Sequence, residues 1–152
     1  MKRSIFVLAA GLALGIAAQA MADTPENQVK YRKSVMKAIG GHMGSIAAVV
    51  KGEVGHTGHV ASHARGIKDM SLIVSDIFPA NSGPDSFADT AALPAIWKDS
   101  AKFKQVTSDF QAAAAKFAAV AESGDMNAIG EGLGALGKTC GGCHKPFRKK
   151  KE

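Results

Sequence analysis

Two cysteines and a histidine near the end of the chain carry its most specific chemistry. Cys140-Gly141-Gly142-Cys143-His144 sets two thiols three residues apart, with an imidazole directly after the second. That is the attachment signature of a c-type haem. Each thiol adds to one vinyl group of the porphyrin, and the imidazole of His144 meets the iron from one face. On a helix, Cys140, Cys143 and His144 fall at i, i+3 and i+4 and share one side. A redox dithiol wants a thioredoxin-like βαβ context, and a zinc site wants a second ligand pair. Cys140 and Cys143 are the only cysteines, and little of the chain reads as strand. The expected cofactor is therefore one haem c, covalently attached. Attachment uses both thiols, so no disulfide is expected.

Four helices are expected to position this motif, because apolar residues recur at helical rather than alternating spacing. The first runs from about Pro25 to Lys51. Thr24 caps it, Pro25 suits its first turn, Glu26 suits its positive end and Gly52 stops it. Its stripe is Val29, Arg32, Met36, Ile39, Met43, Ile46 and Val50. Gly40, Gly41 and Gly44 each cost roughly 1 kcal/mol against alanine, which suits close approach of a neighbouring helix or a flat cofactor. The second helix runs from about Gly58 to Ile77, with Thr57 as cap and Val60, Ala64, Ile67, Leu72, Val74 and Ile77 inward. Residues 78–93 form the longest break, a crossover between helix pairs. The third helix starts at Pro94 or Asp99 and ends near Glu122. Its stripe is Ile96, Phe103, Val106, Phe110, Ala114, Phe117 and Ala121. The fourth, from Met126 to about Arg148, is capped by Asp125 and carries the haem motif. The fold class expected is all-α, an antiparallel four-helix bundle with covalent haem on the C-terminal helix.

A haem iron held by one histidine takes a sixth ligand or leaves that position open. No methionine follows the motif, so a sixth ligand has to come from an earlier helix. Met36, Met43, Met70, Met126, His42, His56, His59 and His63 are the candidates. Methionine on an apolar stripe usually fills a core, yet a thioether is also a common partner of histidine in electron-transfer haems. His59 and His63 stand at i, i+4, the spacing of a surface metal clamp, but no carboxylate or cysteine completes the set. Solvated or capping histidines fit them better. His42 faces away when Met36 faces the haem, so it reads as structural or exposed.

Taken together, these residues resemble the class II cytochromes c, the family of cytochrome c′ and its low-spin relatives. The likeness spans essentially the whole mature chain. It rests on Val29-Lys30-Tyr31-Arg32-Lys33-Ser34-Val35-Met36, on Pro94-Ala95-Ile96-Trp97, and on Gly137 to Arg148 around the motif. The resemblance implies that Cys140 and Cys143 hold the porphyrin and that His144 is the proximal ligand. It implies Arg32 beside a haem propionate, Arg148 one turn beyond the proximal histidine, and Met36 over the distal face. High-spin members leave the iron five-coordinate, whereas low-spin members ligate it with a methionine there. The surroundings of Met36 look more like the low-spin branch.

The chain opens Met1-Lys2-Arg3, follows with an apolar run to about Ala17 and closes on Ala20-Met21-Ala22. Residues 1–22 thus read as a cleavable secretory signal, with retention as an anchor the alternative, and residues 23–152 as one bundle domain. Losing Lys2 and Arg3 leaves 17 basic against 13 acidic residues, so the net charge falls from +6 to +4. Export speaks against nucleic-acid binding. The leading expectation is a periplasmic electron carrier with His144/Met36 axial ligation. Its partners would be acidic redox proteins steered by Lys138, Lys145, Arg148 and Lys149–Lys151. The alternative is a high-spin protein that binds nitric oxide or carbon monoxide at an open distal site. Neither reading makes it an enzyme, since the Met36 face offers no carboxylate for acid–base work. Stable membrane insertion is not expected. The resemblance leaves room for a homodimer.

Overall fold

The structure is a computed structural model that describes residues 24–150. The expected export signal lies outside the described residues. Helix α1 is Pro25–Val50, α2 is Val60–Ser71, α3 is Ala95–Lys98, α4 is Ser100–Ala121 and α5 is Met126–Phe147. The long helices α1, α2, α4 and α5 form the antiparallel four-helix bundle. Helix α4 packs between α2 and α5, and α1 lies against α2 and α5. An isolated antiparallel bridge, Ala92 with Arg148, is the only β pairing among the described residues.

Local chemistry sets the helix ends. Thr24 Oγ1 accepts from the amide of Asn27 at 3.2 Å, and Pro25 occupies the first turn, where its missing N–H costs nothing. After Val50 the chain leaves α1 through Gly52 at φ +72°, and after α4 it turns through Gly124 at φ +69°. Both are left-handed conformations that glycine adopts without a Cβ penalty. Asp99 Oδ1 caps α4 by accepting from the Lys102 amide at 3.2 Å. Asp125 Oδ1 caps α5, accepting from Asn127 and Ala128 at 2.9 and 3.2 Å. The two starting points read for the third helix both occur. Four residues wind after Pro94, the chain breaks at Asp99 with φ −119° and ψ 61°, and α4 begins behind it.

Helix α2 departs from expectation at both ends. A 3₁₀ turn, Thr57–His59, precedes it, and His59 rather than Thr57 stands at its cap position. It ends at Ser71, not Ile77. Beyond it the amides of Leu72, Ile73 and Val74 bond back three residues, to Asp69, Met70 and Ser71. That tighter winding has three residues per turn, so Ser71, Val74 and Ile77 line up and are buried. Leu72, read as inward-facing, is 59% exposed instead. A 3.6-residue repeat cannot place it correctly in a segment that repeats every three.

The main core gathers Ile46, Ile67, Phe117, Ile129 and Leu136 from all four long helices, each nearly inaccessible. Burying such a side chain is worth about 1.5–3 kcal/mol. A second, smaller cluster joins Ala92, Ile96, Phe103 and Phe147, with Phe78, Trp97 and Cys143 packed on it. Phe103 stands edge-on to both Phe78 and Phe147, at 5.0 and 5.3 Å. Between the two clusters the expected stripes stop being fully buried. Met36, Met43, Val106, Cys140, Cys143 and His144 are only half-buried.

Candidate functional site

Those half-buried residues are the walls of two clefts. One, of about 480 Å³, is lined by Arg32, Met36, Phe78, Phe103, Cys143 and His144, with Lys33, Lys37, Arg148 and Lys149 also along it. The other, of about 380 Å³, is lined by Met36, Ile39, Met43, Val74, Phe110, Cys140, Cys143 and His144. Met36, Cys143, His144 and Arg148 border both. Helix α5 supplies the two thiols and the imidazole, α1 supplies Arg32 and Met36, and the crossover closes one side.

The donor set suits a large, flat, mostly apolar group carrying anionic arms. The thiols and imidazole face apolar walls, and burial pushes the Cys143 thiol up to about 11, with help from neighbouring Cys140. Burial raises the Cys140 thiol as well. Buried, uncharged thiols suit thioether links better than a dithiolate metal site. His144 is held below its ordinary value by burial and by nearby Arg148, so the imidazole is kept neutral, the form that binds a metal. Among the described residues no group of three or more His, Cys, Asp or Glu side chains gathers to hold an ion by itself.

Arg32 is 5% exposed and has no carboxylate partner among the described residues. It donates from Nη1 to the Ile77 carbonyl at 3.2 Å and to Ser82 Oγ at 2.8 Å. From Nη2 it donates to the Ser82 carbonyl at 2.9 Å and to Thr90 Oγ1 at 2.8 Å. The guanidinium also sits 4.7 Å above the Phe78 ring. Ser82, Thr90 and Phe78 were not foreseen, because isolated hydroxyls and one aromatic in a long loop carry no periodic signal. The bonds fasten the crossover to α1 at the mouth of the larger cleft. The far end of the same loop is clasped to α5. The amide of Leu93 donates to Phe147 at 3.0 Å and that of Lys149 to Ala91 at 2.8 Å. Arg148 itself is exposed beside the clefts, its amide bonded to the carbonyl of His144 at 3.1 Å.

The sequence resemblance now has direct support. The family model described as cytochrome C′ matches residues 27–148. The chain belongs to the cytochrome c′ family. Cytochrome c′ of Rhodospirillum rubrum is 39% identical over 148 residues, 97% of this chain and 99% of that protein. The crystal structure of cytochrome c′ from Rubrivivax gelatinosus superposes with a TM-score of 0.76 at 30% identity, covering 84% of this chain and 98% of that one. A nitric oxide complex of an Alcaligenes xylosoxidans cytochrome c prime variant matches with a TM-score of 0.75 at 31% identity, with coverage of 84% and 98%. As in that family, the cofactor is covalently bound haem c.

Membership in cytochrome c′ overturns the leading expectation of function. Electron transfer through a His144/Met36 axial pair, and with it the low-spin, Met-ligated branch, is not supported. The Rhodospirillum rubrum relative is a cytochrome c′, and a solved neighbour holds nitric oxide. Met36 lines both clefts and packs against the main core from a half-buried position. His42, expected to be structural or exposed, is half-buried and bonds His63, Nδ1 to Nδ1 at 2.9 Å. His63 is held below its ordinary value by burial, and by His42 and His59. Gly40 borders the smaller cleft, yet a Cβ at Gly40, Gly41 or Gly44 would meet no atom of this chain within 4 Å. Close packing of a neighbouring helix does not explain them.

Proposed function

We propose that this chain is an exported haem protein that takes nitric oxide or carbon monoxide at an open distal position. The observation that carries the reading is kinship: a cytochrome c′ is 39% identical to this chain, and a solved neighbour at 31% identity is a nitric oxide complex. When bound, haem supplies an iron able to take a small diatomic ligand. Cys140 and Cys143 would hold it by thioethers, and His144 would ligate it from the α5 side. Arg148 would lie within reach of its anionic edge. Arg32 would face the same edge, but four of its donors are already committed to Ile77, Ser82 and Thr90. Only Nε–H is left for a propionate, so its first task is to hold the crossover in place.

The walls facing the ligand are mostly apolar, with no carboxylate and no histidine other than His144 bordering either cleft among the described residues. Such walls favour an uncharged diatomic and give no acid–base group for turnover, which supports binding rather than catalysis. The periplasm is the compartment that the signal sequence indicates. No helix among the described residues is long and apolar enough to cross a membrane. The exposed Lys138, Lys145, Lys149 and Lys150 form a basic margin that would attract acidic partners at low salt. Sedimentation of the holoprotein tests the homodimer.

Absorption spectroscopy of the purified holoprotein tests the reading. The reduced protein should show a high-spin spectrum and bind carbon monoxide completely. Met36→Ala should leave that spectrum unchanged and speed carbon monoxide binding by about tenfold or more, as removal of a crowding side chain does. A low-spin spectrum that Met36→Ala converts to high-spin would sink the proposal.

A further inference from the structure

Four of the five histidines lie together, away from the haem motif. His42 on α1 meets His63 on α2, Nδ1 to Nδ1 at 2.9 Å, with ring centroids 5.2 Å apart. His59 stands at the cap position of α2 and is stacked on His56, with 9° between the ring planes. The family's haem chemistry uses none of these groups. The contact between His42 and His63 is built rather than incidental. A Cβ at Gly66 would stand 2.8 Å from Nε2 of His42 and 3.0 Å from its Cε1. The His42 ring therefore lies in a place on α2 that glycine leaves open. Both rings are half-buried, within reach of water.

A head-on pair of imidazoles responds to the number of protons it carries. With both rings neutral, one Nδ1–H donates to the lone pair of the other Nδ1. One added proton keeps the bond, since an imidazolium still donates to a neutral ring. A second leaves two N–H groups facing each other, with no acceptor and with like charges. Nothing anionic offsets them. The first turn of α2 holds no acidic residue and no side chain caps it, so the positive end of the helix also resists cations there. Among the described residues the charges that act on His63 are His42 and His59, and no carboxylate of α1, α2, α4 or α5 is one of them. Arg65 of α2 is taken by Glu122 of α4, and Lys51 after α1 by Glu53. His63 is accordingly held below its ordinary value, by burial first and then by His42 and His59.

We propose that His42 and His63 form an acid-released clasp between α1 and α2, closed while at least one ring is neutral and open when both are charged. The clasp bears on the haem site. His42 lies between Gly40 and Met43 on α1, and both of these border the smaller cleft together with Met36. Val74, in the winding that continues α2, borders it as well. Opening the clasp lets α1 and α2 part at that cleft. Acid then eases the passage of a small ligand to the iron, a consequence that rests on the open-site reading above. Stability follows the same sign. The folded chain takes up the His63 proton less readily than the unfolded chain, so stability is lost as pH falls below about 6.5.

Two readouts on the holoprotein test this at about pH 7.5 and about pH 5, either side of the imidazole range. The first, the urea midpoint of unfolding, needs no open iron. It should fall further on acidification in the native chain than in His63→Asn, whose amide offers a donor and an acceptor where Nδ1 stood and does not titrate. The second is the rate of carbon monoxide binding after reduction. In the native protein it should rise about fivefold or more at the lower pH, the low end of ordinary coupling between sites. It should stay slow at both pH values in His63→Asn and be fast at both in His63→Ala, which has no clasp to release. A midpoint that falls equally in the native chain and both variants would overturn the clasp. A rate whose pH dependence survives in both variants belongs to groups at the haem and would overturn the link from clasp to site. A holoprotein that refuses carbon monoxide while its midpoint still follows His63 overturns the open-site reading and upholds the clasp.

Discussion

Arg32 is a cation in the core whose four hydrogen bonds all end on uncharged oxygens. Burial holds it below its ordinary value, and only a planar fork reaches Ser82 and Thr90 together. Arg32→Met should therefore destabilise the holoprotein by about 3 kcal/mol, because several buried acceptors lose their donor. The melting temperature should fall by roughly 10 °C, and Arg32→Lys should recover little of it. Calorimetry of the three proteins checks this. The same residue shows what the sequence could and could not reveal. Its inward register on the first helix was legible from spacing, and its nearness to the cofactor from the resemblance. Its partners were not, since Ser82 and Thr90 lie 50 and 58 residues away in a loop without periodicity. Cys140, Cys143 and His144 were legible because their chemistry demands contiguous spacing. Met36 shows the opposite limit. Its place was readable, but a thioether that packs and one that ligates look alike in sequence.

Among the elements, α5 holds most of the site and depends on one cap. Asp125 accepts two amide bonds at its first turn. Asp125→Ala should cost about 1 kcal/mol, read as a lower urea midpoint with an unchanged slope and unchanged haem spectra. The site lies at the opposite end of α5, so ligand binding should not move. Helix caps were legible for α1 and α5 because Thr24 and Asp125 are good acceptors just before apolar repeats, whereas Asp99 was read only as one of two starts for the third helix. The end of α2 was not. Leu72, Ile73, Val74 and Ile77 read as a helical continuation, and nothing local announces that the winding tightens to bury Ser71, Val74 and Ile77 in line. Tertiary packing made that choice.

As a whole molecule, the bundle is closed where Ile46, Phe117 and Ile129 meet and open where the two clefts lie. Apolar walls at the open end need the haem to cover them. Replacing both thiols, Cys140→Ser with Cys143→Ser, should leave haem extractable by acid and organic solvent. Stripped of it, the protein should melt roughly 10 °C lower, equivalent to about 3 kcal/mol. It should also bind a hydrophobic dye that the native holoprotein ignores.

The clasp between the crossover and the end of α5 also sets an order in time. Ala91 and Leu93 can be tied down only once Phe147 and Lys149 have been made and delivered. During synthesis this wall of the larger cleft is therefore the last to close. The cysteines, which precede Phe147, stay reachable until then. In the finished protein the amides of Leu93 and Lys149 should exchange with deuterated water far more slowly than other loop amides. In a chain truncated after Arg148 the protection of Leu93 should fall with the clasp, while the amides around Ile46 and Ile129 keep theirs.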